Sequence, residues 1–354
     1  MRDVIDRFER WQKAGQPIAV ATVIDTWGSS PRPAGSKMIV TAGGEIAGSV
    51  SAGCVEAAVI EAAQEVIASN QAQLLSFGVA DDTAWEVGLA CGGRIQVYVE
   101  PGTAWDPIFP ALQTHLQQRD SMAVVSVLSG PEELLGRKRI LVEENLQESG
   151  VWATDPALGG LPLVDTIRMA VQGLLESETS DLLASEEGVQ YFIEVYPPPP
   201  RLIIVGAVHL AEILVELANL AGFDTIVVDP RRAFATSERF PTATMLLHAW
   251  PQEALAGMAL DRSAYVAVLT HDPKLDDPAL LVALASKARY VGALGSQRTH
   301  RLRIERLSQA GLSSEQIARL HAPIGLDLGG RLPGEIAVSI LAQVIQARNR
   351  PQPK

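Results

Sequence analysis

Four consecutive prolines, Pro197–Pro200, constrain this chain more than any other feature, because residues with fixed φ and no backbone N–H cannot continue a helix or a central strand. Such a run reads as a stiff extended linker. It separates residues 1–196 from 201–354, and each part is long enough to bury its own core. The hydrophobic patterns on the two sides differ, so two domains of different fold are expected.

After the prolines, short apolar runs alternate with helical stretches: LIIV (202–205), TIVV (225–228), ATMLL (243–247), YVAVLT (265–270) and YVGAL (290–294). This is the α/β rhythm of a Rossmann-like, doubly wound parallel sheet. A last helix, opened by Pro333, closes the domain, and proline in the first turn sacrifices no hydrogen bond. Before the prolines the chain reads as an N-terminal α+β domain with an internal duplication. AVATVI (19–24) resembles AVVSVL (123–128), GSKMIV (35–40) resembles GRKRILV (136–142), and RIQVYVEP (94–101) corresponds to YFIEVYPP (191–198). Each half, about 1–105 and 106–196, reads strand, strand, helix, strand, with helices expected at 56–69 and 163–177.

The formal charge of -12 argues against nucleic-acid and membrane partners, since phosphate surfaces repel the chain as a whole. The first residues, MRDVIDRFERWQKAG, predict an amphipathic helix rather than a signal peptide, and no apolar run reaches the roughly 18 residues of a spanning helix. A cytoplasmic location is therefore expected, with a twofold homodimer as the commonest oligomer.

Two groups of residues point to ligands. In the second domain, Gly206-Ala207-Val208-His209-Leu210-Ala211 joins the first strand to a helix, and Asp229 follows 23 positions after Gly206. Gly206 suits the tight turn, Ala211 close packing of the helix, and Asp229 a ribose hydroxyl, but Val208 stands where the dinucleotide fingerprint has its second glycine. Arg231 and Arg232 suit a phosphate, so a nucleotide, NAD(P) or a pterin phosphate is the candidate ligand. His271 and Asp272, Ser296 and Arg298, and Gly325 to Asp327 fall after later strands, on the rim where open α/β sheets bind ligands. Taken singly, each is better explained as a cap or a loop residue, whereas together they favour a functional crevice.

In the first domain the candidates are the two cysteines, too few for a disulfide framework. Cys54 ends GSVSAGC just before a helix, where free N–H groups and the helix dipole would favour a thiolate, and Gly53 leaves its backbone open. Cys91 is followed by Gly92 and Gly93. Arg32 and Lys37 lie in the turn-rich GSSPRPAGSKM stretch, within reach of an anionic ligand. A pair of soft thiolates, Cys54 and Cys91, suits a soft metal centre such as molybdenum and falls short of a zinc site. The competing view is that both cysteines are small core hydrophobes. Both belong to the first half of the duplication, so folding shared by the halves does not explain them.

The stretches GSSPRPAGSKM, GSVSAGC, EVGLACGGRIQVYVEP, GAVHLA, VVDPRRAFATSERFP, LTHDPKLDDPAL, YVGALGSQRTHRLRIERL and HAPIGLDLGGRLPGEIAVSIL, in this order over residues 28–341, together resemble the XdhC/CoxI family. The resemblance implies an accessory protein that binds molybdenum cofactor (molybdopterin). It would shelter the cofactor while a cysteine desulfurase supplies sulfur to the metal, then insert it into the apo-enzyme of a xanthine dehydrogenase-type molybdenum hydroxylase. Carried over by position, Cys54 and Cys91 fall on the family's cysteine motifs, and Gly206 to Ala211 with Asp229 on its Rossmann fingerprint. Ala52 departs from the glycine expected there. The alternative from another class is an NAD(P)-binding oxidoreductase working through the Rossmann half, and a third reading is a scaffold that only docks partners.

Overall fold

A computed structural model describes residues 1–28, 32–78, 93–142, 146, 165–185 and 188–349. The chain divides into two compact units, Met1–Pro198 and Pro199–Lys354, the division falling within the tetraproline run.

The first unit runs α1 (Ile5–Lys13), β1 (Ile18–Trp27), β2 (Lys37–Thr41), β3 (Ile46–Gly48), α2 (Glu56–Ser69), β4 (Gln73–Phe77), β5 (Arg94–Pro101), α3 (Phe109–Gln118), β6 (Met122–Ser129), β7 (Lys138–Val142), α4 (Asp165–Ser177), β8 (Asp181–Ala184) and β9 (Gln190–Tyr196). Two antiparallel sheets result, ordered β3-β2-β1-β5-β4 and β7-β6-β9-β8. Apart from β3 they share one topology, and the β1–β5 and β6–β9 pairs are each interrupted by a bulge, after Val23 and after Val127. The repeat is larger than strand, strand, helix, strand. Each half also begins with a helix, α1 or α3, and has an edge strand, β4 or β8, that sequence periodicity did not reveal.

Alternation along the strands explains why they are apolar throughout. In β1, Ile18 and Val20 enter a central core with Phe8 and Trp11 of α1, Leu112 of α3, and Met122 and Val124 of β6. Ala19, Ala21 and Val23 face the other way, onto Val59, Ala63 and Val66 of α2. The second sheet repeats the scheme, with Ala123, Val125 and Val127 against Ile167 and Val171 of α4.

The second unit runs β10 (Arg201–Val205), α5 (His209–Leu220), β11 (Asp224–Val228), β12 (Met245–Leu247), α6 (Pro251–Ala256), β13 (Ala264–Val268), α7 (Pro273–Ala285), β14 (Tyr290–Ala293), α8 (Gln297–Gln309), α9 (Ser314–Ala318), β15 (Leu320–His321) and α10 (Pro333–Asn349). Its six strands are ordered β12-β11-β10-β13-β14-β15 and every pairing is parallel, as in a Rossmann sheet. Both faces are covered: Leu202 and Ile204 pack toward Leu214 and Ile340, and Ile203 and Val205 toward Leu280 and Leu307. Short β15 and α9 have no clear periodic signal. No described helix is long and apolar enough to cross a membrane.

Candidate cofactor site

Register brings the motif stretches of the first unit to one end of its five-stranded sheet. Trp27 at the end of β1 pairs with Arg94 at the start of β5, and Phe77 at the end of β4 pairs with Ile95. Thr22 of β1 pairs with Lys37 at the start of β2, and Met38 pairs with Gly48 at the end of β3. The chain therefore leaves this end three times: between Trp27 and Lys37, after Gly48 toward Cys54, and between Phe77 and Arg94. The last stretch carries Cys91 and Gly92, which lie outside the described residues.

Cys54 is exposed at the end of a loop held by one carboxylate. Glu56 Oε1 accepts from Ser49 Oγ (2.7 Å) and from the Ser51 N–H (2.9 Å), and Oε2 accepts from Ser51 Oγ (2.5 Å) and the Gly53 N–H (2.8 Å). Ser51 Oγ in turn accepts from the N–H groups of Cys54 (3.0 Å) and Val55 (2.9 Å). Burial raises the Glu56 pKa, but the hydrogen bonds from Ser51 and Ser49 and from the backbone outweigh it and hold the group at about 2. This corrects the expectation of free N–H groups beside the sulfur: the amides of Ser51, Gly53, Cys54 and Val55 are already engaged, and the anion at this helix start is Glu56. Ala52 and Gly53 are both left-handed, with φ 59° and 119°. Glycine is at ease there, whereas the Ala52 side chain costs about 1 kcal/mol.

Lys37 is placed differently from expectation. Lys37 is buried, its Nζ 2.8 Å from Glu194 Oε2 and 2.8 Å from Thr22 Oγ1, and so is turned away from any ligand on the loops. Its counterpart Lys138 repeats the arrangement with Glu100 (2.8 Å) and Ser126 (3.2 Å). Both ammonium groups lie 4.7 Å from the ring centre of Trp105. Burial alone would raise the Glu194 pKa, yet Lys37 and the Met1 ammonium hold it below its ordinary value. Arg32 faces Asp3 at 3.8 Å.

In the second unit the fingerprint groups satisfy one another. Asp229 is fully buried. Its Oδ2 accepts from the Ala207 N–H (2.8 Å) and Arg231 Nη2 (2.7 Å), its Oδ1 from the Arg231 N–H (2.9 Å) and Nε (2.9 Å). Burial raises the Asp229 pKa, but these bonds, led by the Arg231 guanidinium, leave it lowered. A carboxylate so filled has no free acceptor for a ribose hydroxyl, and Arg231 covers it. Gly206, with φ 107°, is needed because a Cβ would collide with the Thr270 side chain. The groups expected to hold NAD(P) thus do not fit it in this arrangement.

Other rim residues act as caps or stand free of ligand-like geometry. Val208 is the N-cap of α5 without a side-chain bond, and His209 is exposed with Nδ1 3.6 Å from Glu212. His271 is left-handed (φ 63°), Asp272 caps α7 through the Lys274 N–H (2.9 Å), Ser296 caps α8 through the Thr299 N–H (3.2 Å), and Arg298 is exposed. Beneath them is a pair that sequence reading missed. Asp276 and Arg303 are both buried, Arg303 Nη2 reaching Asp276 Oδ2 and the Leu294 carbonyl at 3.1 Å each, and Thr270 Oγ1 donates to Asp276 Oδ1. It clasps the loops after β13 and β14 together. No local pattern in the sequence joins Asp276 to Arg303, which lie 27 positions apart.

The architecture is thus that of a protein with a duplicated, thiol-bearing α+β unit followed by a Rossmann unit. Residues 11–78 match the XdhC and CoxI family and residues 202–344 the XdhC Rossmann domain. A Bacillus subtilis protein named as a probable xanthine dehydrogenase subunit is 30% identical over 343 residues, 95% of this chain and 94% of that one. The molybdenum cofactor insertion chaperone PaoD of Escherichia coli is 27% identical over 337 residues, 95% and 85% of the two chains. Escherichia coli YqeB is 36% identical over 179 residues, which span 50% of this chain but only 33% of YqeB. A crystal structure described as a xanthine dehydrogenase from Bacillus halodurans superposes with a TM-score of 0.73 at 26% identity, over 98% of this chain and 96% of that one. The chain belongs to the XdhC and CoxI family.

Proposed function

We propose that this chain binds molybdenum cofactor, holds it while a cysteine desulfurase supplies sulfur, and inserts it into a xanthine dehydrogenase-type apo-enzyme. The observation that carries this reading is similarity over nearly the whole length to PaoD, a molybdenum cofactor insertion chaperone. The cofactor is cargo here. Cys54 is the described donor for its metal end: an exposed sulfur on a loop fixed by Glu56 and Ser51. Among the described residues no group of three or more His, Cys, Asp or Glu is placed to hold a resident metal ion, which suits thiolate contact with a metal that arrives already ligated. A cytoplasmic location and a twofold homodimer belong to the same proposal. Equilibrium dialysis with released cofactor tests it: wild type retains molybdenum, Cys54→Ala and Cys91→Ala each retain at least tenfold less, and equal retention by all three proteins discards the thiolate role.

A further inference from the structure

The first loop, which a Rossmann sheet ordinarily offers to a phosphate, is bound to its own chain here: the Ala207 N–H and Arg231 are both spent on Asp229. Two strands along the sheet, at the carboxyl end of β14, donors are left over. Arg303, on the second turn of α8, is 1% exposed and reaches back to the loop that precedes the helix. Its Nη2 is spent on Asp276 Oδ2 and the Leu294 carbonyl at 3.1 Å each, whereas Nε and Nη1 are buried with no acceptor among the described residues. A buried donor without an acceptor is costly, more so on a charged group, and calls for a water or an ion to complete it.

The surroundings of Nη1 decide between the two. A Cβ built on Gly295 would lie 3.4 Å from Thr299 Cβ and Cγ2 and 3.6 Å from Arg303 Nη1, so the missing side chain leaves a niche with that nitrogen in its wall. Gly295 holds φ 150°, which side chains seldom allow. Next to the niche, the Gln297 and Arg298 N–H groups that open α8 have no acceptor among the described residues, Ser296 Oγ being used on the Thr299 N–H (3.2 Å). The first turn of α8 carries no acidic residue, and the helix sets Arg298, Arg301, Arg303 and Arg306 against Glu305 alone in a chain of formal charge -12. Asp276 and Asp277, which α7 directs at α8, are already paired with Arg303 and Arg306.

We propose that the start of α8 is a phosphate site, in which the phosphate group of a small ligand lies against the Gln297 and Arg298 amides and places one oxygen in the Gly295 niche to accept from Arg303 Nη1. Nη1 and the helix amides are all donors, which favours an anion over a water. A water would find few acceptors for its own hydrogens, because the Ser296 and Thr299 hydroxyls are bonded to each other (3.0 Å). Phosphate rather than carboxylate fits, since it brings enough oxygens to serve the helix amides and the guanidinium together. Arg303 would then tie the ligand to Asp276 and, through Thr270, to the loop after β13. The site stands apart from the proposed delivery role and from the thiol loop.

Calorimetric titration of the full chain with inorganic phosphate, with adenosine monophosphate as a simple ester and with acetate tests it. Ser296→Asp keeps a good N-cap residue at an exposed position but sets a negative charge against the amides. Arg303→Lys keeps a cation for Asp276 but removes the nitrogen in the niche. Wild type should bind a phosphate probe and not acetate, and each variant should lose at least tenfold in affinity while its urea unfolding stays cooperative. Tighter binding of the ester assigns the site to a phosphorylated ligand, and binding of inorganic phosphate at least as tight assigns it to the free ion. No heat with either phosphate probe at millimolar concentration, acetate binding as tightly as phosphate, or unchanged affinity in Ser296→Asp overturns the site. Should Arg303→Lys fail to fold, Ser296→Asp decides alone.

Discussion

Replacing Lys37 by Met separates a folding role from a ligand-binding one. The Lys37 ammonium lies 2.8 Å from Glu194, and at an effective dielectric constant of about 20 that contact is worth about 6 kcal/mol of attraction before desolvation. Both side chains are 5% exposed or less, so removing Lys37 strands a buried carboxylate; the Met1 amino group at 3.6 Å, which burial pulls down to a pKa of about 5, compensates little at neutral pH. The usual cost of breaking such a pair is about 3–5 kcal/mol. At roughly 2–4 °C per kcal/mol for a unit of this size, melting should fall by about 6–20 °C. Thermal unfolding followed by circular dichroism reads it, and Lys37→Met with Glu194→Leu should recover a substantial part, because neither charge is then left alone. A loss below about 1 kcal/mol, or native melting with cofactor binding abolished, would refute the buried-pair reasoning and return Lys37 to the ligand.

Two further outcomes follow from the sites. Glu56, held at about 2 against an ordinary 4.5, contributes stability that is complete above pH 4.5 and disappears as the pH falls toward 2, so protection of the Gly53 amide in hydrogen exchange should decline across that window. Glu56→Gln, which cannot accept at both oxygens, should show low protection already at neutral pH, and a flat profile in wild type would remove Glu56 as the organiser of the loop. Asp229→Ala should lower stability by about 2–4 kcal/mol in urea unfolding, because it leaves the buried Ala207 N–H and the Arg231 guanidinium without their acceptor. A stable Asp229→Ala protein would mean the carboxylate is reserved for a ligand.

The parallel sheet was legible because β10, β11, β13 and β14 are apolar runs buried on both faces, and the duplication because β1 and β6 share one pattern. The edge strands were not. β4 (QLLSF) and β8 (DLLA) are short and partly exposed, and their apolar and polar residues do not alternate in sequence, so their pairing with β5 and β9 decides them rather than composition. The thiol site was partly legible: glycines and a helix start marked Cys54, but the carboxylate occupying that helix start comes from Glu56, whose role needs the left-handed turn at Ala52 and Gly53 to bring the donors round. Lys37 and Arg231 misled for a common reason. A cation in a glycine-rich or post-strand motif reads as a ligand donor, while its true partner is either far along the chain, as Glu194 is, or two residues away and already satisfied, as Asp229 is.

The most direct measurement is transfer: purified chain is loaded with sulfurated molybdenum cofactor, separated from free cofactor, and mixed with purified apo-xanthine dehydrogenase while hydroxylase activity and molybdenum content of the acceptor are followed. Delivery predicts that the acceptor gains activity and stoichiometric molybdenum as the loaded chain loses it, faster than with free cofactor, and that the chain alone turns over no hydroxylase substrate. Activation no faster than with free cofactor, or steady NAD(P)-dependent turnover by the metal-free chain, would contradict it.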